Sequence, residues 1–295
     1  MCSYFFFLQD KKRRRCRASS RLFNEVEWEN NKQKNVTLLL NHSLTTSINK
    51  NTSIYFHTIK LFSFICIMII FYSLNISNQQ AKLTEDEAIH CSKVLRKKVE
   101  DEVYVTDGFG KLYKGVITQI SKKEVLVELT EELESQPKPH IRSVAIAPTK
   151  NIDRFEWFLE KSTEIGITNI FPFLSSRSER KIIKPQRLEK ILVSAMKQSK
   201  NLNKPTLHPL IPLSQLLKTD YKQSKYIAHC MEPEFALQKL YKRNTDAIVL
   251  IGPEGDFTSE EVDLASVNHW TEVSLGNSRL RTETAGIVAC HLLNL

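Results

Sequence analysis

The feature that most constrains the fold of this chain is the alternation of short apolar runs with amphipathic segments between residue 142 and the C terminus. The apolar runs are residues 144–147, 170–173, 226–228, 247–252 and 273–275. Between them apolar residues recur at helical spacing, as at Ile152, Phe155 and Leu159. Strands that alternate with helices predict a parallel sheet covered by helices on both faces. We therefore predict an α/β domain over residues 142–295.

The preceding block, residues 68–141, has a different pattern. Thr84 and Glu87 have the spacing of a helix-capping box, which predicts a short helix over residues 88–98. Strand-like segments follow at residues 103–106, 112–120 and 125–129, joined by an Asp-Gly turn and a Lys-rich turn. This pattern predicts an antiparallel meander that forms a small barrel, and the Pro-rich residues 136–139 form the predicted linker.

Residues 1–67 differ from the rest of the 295-residue chain in composition. All 8 Gly and all 10 Pro lie after position 107, and residues 1–67 hold 11 of the 42 Lys and Arg but only 4 of the 33 Asp and Glu. Most of the net charge of +9 therefore lies in this quarter of the chain. Because no helix or strand period persists there, we predict a non-native or disordered extension rather than a domain.

Three interpretations of this extension stay open. In the first, it runs into a strand that starts near Met68, and Met68 is the true start of the protein. The second is a membrane anchor over residues 54–74, but its uninterrupted apolar part, residues 61–74, is shorter than the roughly 20 residues that a spanning helix needs. The third is an organelle-targeting arm at the basic residues 11–17. We favour the first, and membrane contact is not expected.

The cysteine pattern gives no support for a metal site. The six Cys include no C-x-x-C pair, and the sequence has no H-E-x-x-H motif. We expect no metal, and a reduced cytoplasmic compartment.

In a parallel α/β sheet, ligands bind at the carboxyl ends of the strands, and two loops there attract attention. The first is Gly-Pro-Glu-Gly-Asp-Phe at residues 252–257, here named the proline loop. Gly252 and Gly255 allow the backbone to approach a ligand closely, although an ordinary strand-to-helix turn has the same pattern. Thr258 and Glu261 then predict a capping box for the next helix.

The second loop joins the last strand to the last helix and has the sequence Leu-Gly-Asn-Ser-Arg-Leu-Arg at residues 275–281, here named the arginine loop. Arg281 and Glu283 flank the predicted helix start, where exposed N–H groups favour negative charge. A solvated ion pair at a helix start is the alternative interpretation.

Together the two loops resemble the paired signature of the bacterial 16S ribosomal RNA uridine-N3 methyltransferases, which belong to the SPOUT superfamily. Further motifs of that family occur in the same order, at residues 90–96, 107–110, 160–166, 175–178 and 195–199. The resemblance covers residues 68–295. Asp256 is a departure, because many members have a second glycine there.

The resemblance implies a PUA-like RNA-binding barrel over residues 68–141 and a SPOUT methyltransferase domain over residues 142–295, with a trefoil knot in its parallel sheet. It also implies a homodimer, S-adenosylmethionine as cofactor, and 16S rRNA or the small ribosomal subunit as substrate. The implied cofactor contacts are Ile251, Gly252, Glu254, Gly255, Leu275, Gly276, Leu280, Thr284 and Ala285.

The chemistry of that reaction suits the residues at the start of the last helix. Methylation of uracil at N3 needs removal of the N3 proton and stabilisation of the charge that grows on the neighbouring oxygens. Arg281, always protonated, suits the second task. Glu283 either takes the proton or orients Arg281. These two are the predicted catalytic residues.

Basic and polar side chains near this site are the predicted RNA contacts. They are Arg96 in the barrel and Arg177, Arg180, Lys197 and Gln198 in the methyltransferase domain. Phosphate contacts need only charge and reach, although such a stripe also occurs as plain solvated surface. Two alternative functions stay open, a ribose 2′-O methyltransferase and a non-catalytic RNA-binding assembly protein.

Overall fold

Two β-sheets form the framework of the chain in the computed structural model, which describes residues 69–231 and 233–295. The extension over residues 1–67, with its targeting arm, lies outside the described residues, and so does the proposed anchor except for residues 69–74, which include a β-strand at Ile70–Tyr72. Within the described part, no helix is both long and apolar enough to cross a membrane.

The N-terminal sheet is mixed and has six strands. They are β1 (Ile70–Tyr72), β2 (Ile76–Ser77), β3 (Gln80–Thr84), β4 (Glu102–Thr106), β5 (Lys111–Ile120) and β6 (Glu124–Ser135), in the order β1-β4-β5-β6-β3-β2. Strands β4, β5 and β6 pair antiparallel, so the predicted meander is confirmed. Alternate apolar side chains such as Val103, Val105 and Val127 pack around the buried Phe71.

The helix that follows β3 differs from its prediction. Helix α1 covers Glu85–Ile89 and continues as a π-helical segment, His90–Val94, so the predicted end at residue 98 is wrong. The capping box predicted at Thr84 is also wrong, because its side chain makes no capping bond. The Glu87 carboxylate instead accepts hydrogen bonds from the Tyr72 N–H, at 3.0 Å, and from Lys197 Nζ, at 2.6 Å.

The C-terminal sheet is parallel throughout, as predicted. Its strands are β7 (Arg142–Ile146), β8 (Asn169–Leu174), β9 (Thr206–Leu207), β10 (Ile211–Pro212), β11 (Ser224–Ala228), β12 (Ala247–Ile251) and β13 (Thr271–Val273). The order is β10-β8-β7-β12-β11-β13, with β9 beside β8. The five predicted strands are present, and the two-residue strands β9 and β10 are additions.

Helices cover both faces of this sheet, because alternate strand side chains point to opposite sides. They are α2 (Ile152–Ile165), α3 (Pro185–Ser199), α4 (Leu213–Lys218), α5 (Leu237–Leu240), α6 (Ser259–Val267) and α7 (Thr282–Asn294). One core joins the sheet to α2, α3 and α7, and the other joins it to α4 and α6. Helix α7 packs closely, since a β-carbon on Gly286 would lie 2.6 Å from the Phe158 ring.

Candidate active site

The proline loop and the arginine loop leave the same edge of the parallel sheet. The proline loop follows β12 and the arginine loop follows β13, while β11 lies between these two strands and pairs with both. All three strands are parallel, so their carboxyl ends meet at one edge. The segment that follows β11 therefore lies between the two loops.

The proline loop is tied to its neighbours by main-chain and side-chain bonds. A turn forms where the Asp256 N–H donates to the Pro253 carbonyl, at 2.9 Å. The Glu254 carboxylate accepts the Lys150 N–H, also at 2.9 Å, from the segment after β7. The capping box predicted at Thr258 and Glu261 is confirmed, with both of its bonds formed. These bonds fix the shape of the loop.

The two glycines of the proline loop make room for side chains of the protein. A β-carbon on Gly252 would lie 3.0 Å from the Phe257 ring, and one on Gly255 would lie 3.3 Å from Arg177. Both α-carbons are therefore packed on the side where a β-carbon would stand. Contact with the cofactor at these positions stays a prediction.

Arg177 and Arg180, predicted as RNA contacts, bond to main-chain carbonyls around the proline loop. Arg177 Nη1 donates to the Gly255 carbonyl at 2.7 Å and to that of Phe257 at 3.2 Å. Arg180 donates through Nε to the carbonyl of Thr149, at 2.9 Å. Both side chains therefore position loops of the site. A guanidinium has five donors, so contact with RNA stays a prediction for each.

The arginine loop contrasts with the proline loop. Ser274, just before this loop, makes main-chain hydrogen bonds. Residues 275–280 make none to any other described residue. Gly276 has φ +131, and the space where a β-carbon would stand is open. Residues 276–279 are exposed. The main-chain donors and acceptors of this stretch are therefore accessible from outside the protein.

The segment after β11 bridges the two loops. Its Cys230 N–H donates to Asp256 Oδ2 in the proline loop, at 2.9 Å. Farther along, the Phe235 carbonyl accepts from Ser274, the residue before the arginine loop, and the Ser274 carbonyl accepts from Leu237, both at 2.9 Å. We name residues 229–231 and 233–237 the bridging segment.

Charged side chains of both loops influence the pKa of the Cys230 thiol. Burial and the Asp256 carboxylate raise the pKa of the Cys230 thiol, while Arg279 acts in the opposite direction. An arginine of one loop and a carboxylate of the other thus act on the same thiol. The bridging segment thus bonds to the proline loop through Cys230, and to Ser274, immediately before the arginine loop, through Phe235 and Leu237.

The predicted catalytic pair lies at the start of α7, but its members do not bond to each other. Arg281 is the N-cap residue and is exposed, and its side chain has no hydrogen-bond or ion-pair partner among the described residues. Glu283 is only 7% exposed. Its Oε1 lies 3.8 Å from Nε of Arg154 in α2, and its Oε2 is buried without a hydrogen-bond partner. Sequence reasoning missed Arg154, since nothing in the local pattern marks it.

The remaining cofactor positions lie around the same edge. Ile251 ends β12 and is buried. Leu275 and Leu280 are half-buried at the two ends of the arginine loop, and Thr284 and Ala285 are half-buried in the first turns of α7. The nine predicted cofactor positions thus lie at the end of β12, on the two loops that leave the sheet edge, and at the start of α7.

The other predicted RNA contacts lie away from this edge. Lys197 in α3 bonds to Glu87, and its Nζ also lies 5.9 Å from the centre of the Phe71 ring, so it ties α3 to the N-terminal sheet. Lys197 and the exposed Gln198 line a cleft of about 1180 Å³ between that sheet and α3. Arg96 is exposed, with φ +52. Contact with RNA stays a prediction for all three.

No group of three or more His, Cys, Asp or Glu residues could hold a metal ion among residues 69–231 and 233–295.

Two family models match the chain. The RNA methyltransferase domain matches residues 136–294, which is more than half of the chain. The RNA methyltransferase PUA domain matches residues 83–130, within the N-terminal sheet.

Individual relatives agree with these matches. The ribosomal RNA small subunit methyltransferase E of Rickettsia conorii is 31% identical over 219 residues, which are 72% of this chain and 88% of the relative. A methyltransferase E of Neisseria gonorrhoeae, solved bound to S-adenosyl methionine, has a TM-score of 0.66 at 28% identity and covers 76% of this chain and 95% of its own.

A methyltransferase of Legionella pneumophila, solved with bound SAM, has a TM-score of 0.68 at 28% identity over 77% of this chain and 96% of its own. The two family models together cover the parallel sheet, both loops and most of the N-terminal sheet. The chain belongs to the RNA methyltransferase family that includes ribosomal RNA small subunit methyltransferase E.

Proposed function

We propose that the protein methylates a specific uridine at N3 in 16S rRNA of the small ribosomal subunit, with S-adenosylmethionine as methyl donor. The observation that carries the proposal is that one segment bonds both to the proline loop, through Cys230, and to Ser274 immediately before the arginine loop, while the main chain of residues 275–280 makes no hydrogen bond to another described residue. The name of the Rickettsia relative and the cofactor bound in the Neisseria and Legionella structures support it.

The cofactor is assigned to the predicted positions in and around the two loops. The unpaired main chain at Leu275, Gly276 and Leu280 would bond its polar groups, with Thr284 and Ala285 beside them. Ile251, Gly252, Glu254 and Gly255 form the opposite side. S-adenosylmethionine supplies an electrophilic methyl group, so the chemistry needs no metal and no covalent enzyme intermediate. The protein aligns the donor with the substrate nitrogen.

Arg281 and Glu283 are assigned the two catalytic tasks. The exposed guanidinium of Arg281 has its donors available for the charge that develops on the uracil oxygens. Glu283 fits the role of proton acceptor better than that of orienting Arg281, because its ion pair is with Arg154 and its Oε2 lacks a partner. Arg154 then balances the charge of Glu283 before the proton arrives.

The finer features of the family complete the proposal. They are a trefoil knot in the parallel sheet, closure of the N-terminal sheet into a PUA-like barrel, a homodimer, and a cytoplasmic location. RNA is assigned to Arg96, Arg177, Arg180, Lys197 and Gln198. Of these, Arg96, Arg177 and Gln198 are exposed. The Lys197 ammonium bonds to the Glu87 carboxylate, so it must break or share that bond to contact a phosphate.

The product of the reaction tests the function directly. The full chain is incubated with labelled S-adenosylmethionine and small ribosomal subunits from cells that lack the activity, and the RNA is digested to nucleosides. We expect label in 3-methyluridine. Label in a 2′-O-methyl nucleoside would instead support the ribose methyltransferase, and saturable RNA binding without label would support an assembly protein.

Substitution of Arg281 tests the assigned residue roles. Loss of one charge-stabilising donor costs about 100-fold or more in turnover. We therefore expect Arg281→Ala to lose at least about 100-fold in turnover while its affinity for the cofactor stays within a few-fold. Arg281→Lys keeps the charge and serves as the matched variant. Equal losses of turnover and cofactor affinity would make Arg281 a binding residue.

A further inference from the structure

Asp256 in the proline loop adopts a backbone conformation that is unusual for a residue with a side chain. Its φ is +61, in the left-handed region. A β-carbon clashes there with the backbone, although Asp and Asn tolerate the region better than most residues. Glycine would form the same turn without strain. The turn alone therefore does not account for a carboxylate at this position.

The carboxylate makes two hydrogen bonds that glycine would lose. Oδ1 accepts the N–H of the next residue, Phe257, and Oδ2 accepts the N–H of Cys230, each at 2.9 Å. Hydrogen bonds to an ionised acceptor are stronger than neutral ones. The first bond stiffens the loop locally. The second crosses to the segment that follows a different strand.

The second bond connects the two loops through the bridging segment. Cys230 lies at the start of that segment, and Phe235 and Leu237 near its other end bond to Ser274, immediately before the arginine loop. The bridging segment is thus bonded to Asp256 at one end and to Ser274 near the other. The Cys230 bond is the point at which this path leaves the proline loop.

We propose that Asp256 is a positioning residue, whose carboxylate fixes the proline loop against the bridging segment and thereby sets the spacing of the two loops that hold the methyl donor. The inference rests on the proposed function, because that function assigns the cofactor to these loops. Asp256 acts through the main chain of Cys230 and touches neither of the residues assigned to catalysis.

Three variants of the full chain separate positioning from turn formation. Asp256→Gly keeps the turn, removes the strain and deletes both bonds. Asp256→Asn has the same size and tolerates the left-handed region, but its amide has one acceptor oxygen, so it loses one bond. Asp263→Asn, on the exposed side of α6, is the control for loss of a carboxylate charge.

Amide hydrogen exchange without cofactor measures the hydrogen bond from the Cys230 N–H to the Asp256 carboxylate. We expect the Cys230 amide to exchange at least about 10-fold faster in Asp256→Gly than in the wild type, the scale of one lost hydrogen bond to a charged group. Asp256→Asn should lie between them, and Asp263→Asn should match the wild type. Unchanged protection of the Cys230 amide in Asp256→Gly would overturn the inference.

Calorimetric titration with S-adenosylmethionine measures the consequence for the site. We expect Kd to rise at least about 10-fold in Asp256→Gly and by a smaller factor in Asp256→Asn, while turnover at saturating cofactor stays within about threefold. If Asp256 only formed the turn, Asp256→Gly would bind the cofactor as tightly as the wild type or more tightly, and that result overturns the inference.

These measurements distinguish a failure of the proposed function from a failure of the inference about Asp256. No uptake of cofactor by the wild type would contradict the proposed function and this inference with it. Uptake by the wild type with equal affinity in Asp256→Gly would overturn the inference alone. If Asp256→Gly failed to fold, the affinity of Asp256→Asn relative to Asp263→Asn would decide.

Discussion

Replacing Gly286 with Ala tests how closely α7 must pack to hold the site. Gly286 lies in the interior of α7, where Ala is favoured by about 1 kcal/mol on helix propensity. The new β-carbon would lie 2.6 Å from Phe158 Cε2 and 2.9 Å from Ile146 Cδ1, and both side chains are fully buried. Because ordinary contact begins near 3.4 Å, the helix or the ring must move by about 0.8 Å.

The packing cost should exceed the gain in propensity. Overpacking of a buried core costs typically 1–3 kcal/mol, so we expect Gly286→Ala to lower the free energy of unfolding by about 1 kcal/mol. The movement should also reach the first turn of α7, where Arg281 and Glu283 lie. A misplacement near 1 Å can cost about 100-fold in rate, so we expect turnover to fall by about 10- to 100-fold.

Urea denaturation of the full chain measures the stability. The pair His291→Gly and His291→Ala, at an exposed position of the same helix, gives the difference between Gly and Ala without a packing change. Subtracting that difference from the effect of Gly286→Ala leaves the packing cost. If Gly286→Ala proved more stable than the wild type by about the amount of the His291 pair, close packing of α7 on Phe158 would be refuted.

Two further predictions concern stability. Burial, with a smaller effect of Arg142, lowers the pKa of Lys138 to about 8, so above pH 8 the unfolded chain holds a proton that the folded chain has lost. The free energy of unfolding of the wild type, relative to that of Lys138→Met, should therefore rise by up to about 3 kcal/mol between pH 8 and 10.5. A difference between the two proteins that does not change with pH in urea titrations would contradict this. Thr258→Ala should lose about 1 kcal/mol in the same assay, because the capping box of α6 loses its bond to the Glu261 N–H. Ser259→Ala is the control, and equal effects of the two substitutions would count against the cap.

The parallel sheet was predictable because its central strands are continuous apolar runs. A strand buried on both faces has no polar side to interrupt it, as residues 247–251 illustrate, all of them buried. Strands β9 and β10 contain two residues each, which is too short for any period to be detected. Sequence reasoning thus located the edge of the sheet and both loops that leave it.

The wrong prediction at Thr84 has a physical cause that local sequence does not contain. The spacing of Thr84 and Glu87 favours a capping box, but the Glu87 carboxylate bonds to the N–H of Tyr72, 15 residues away, and to Lys197, 110 residues away. The same holds at the site, where Arg154 pairs with Glu283. Partners that fold topology brings together leave no trace in the spacing of nearby residues.

The two loops of the site differ in how firmly the rest of the protein fixes them. The Lys150 N–H donates to Glu254, Arg177 donates to the Gly255 carbonyl, and Asp256 accepts the Cys230 N–H, so the proline loop is fixed from three directions. Residues 275–280 have no such bonds within the described part of the chain. When a ligand bonds to the main chain of residues 275–280, the proline loop on the other side of the site is already fixed. The conformational entropy lost on binding therefore comes mainly from the arginine loop. Because Arg281 ends that loop, binding of the donor is expected to order the catalytic arginine as well.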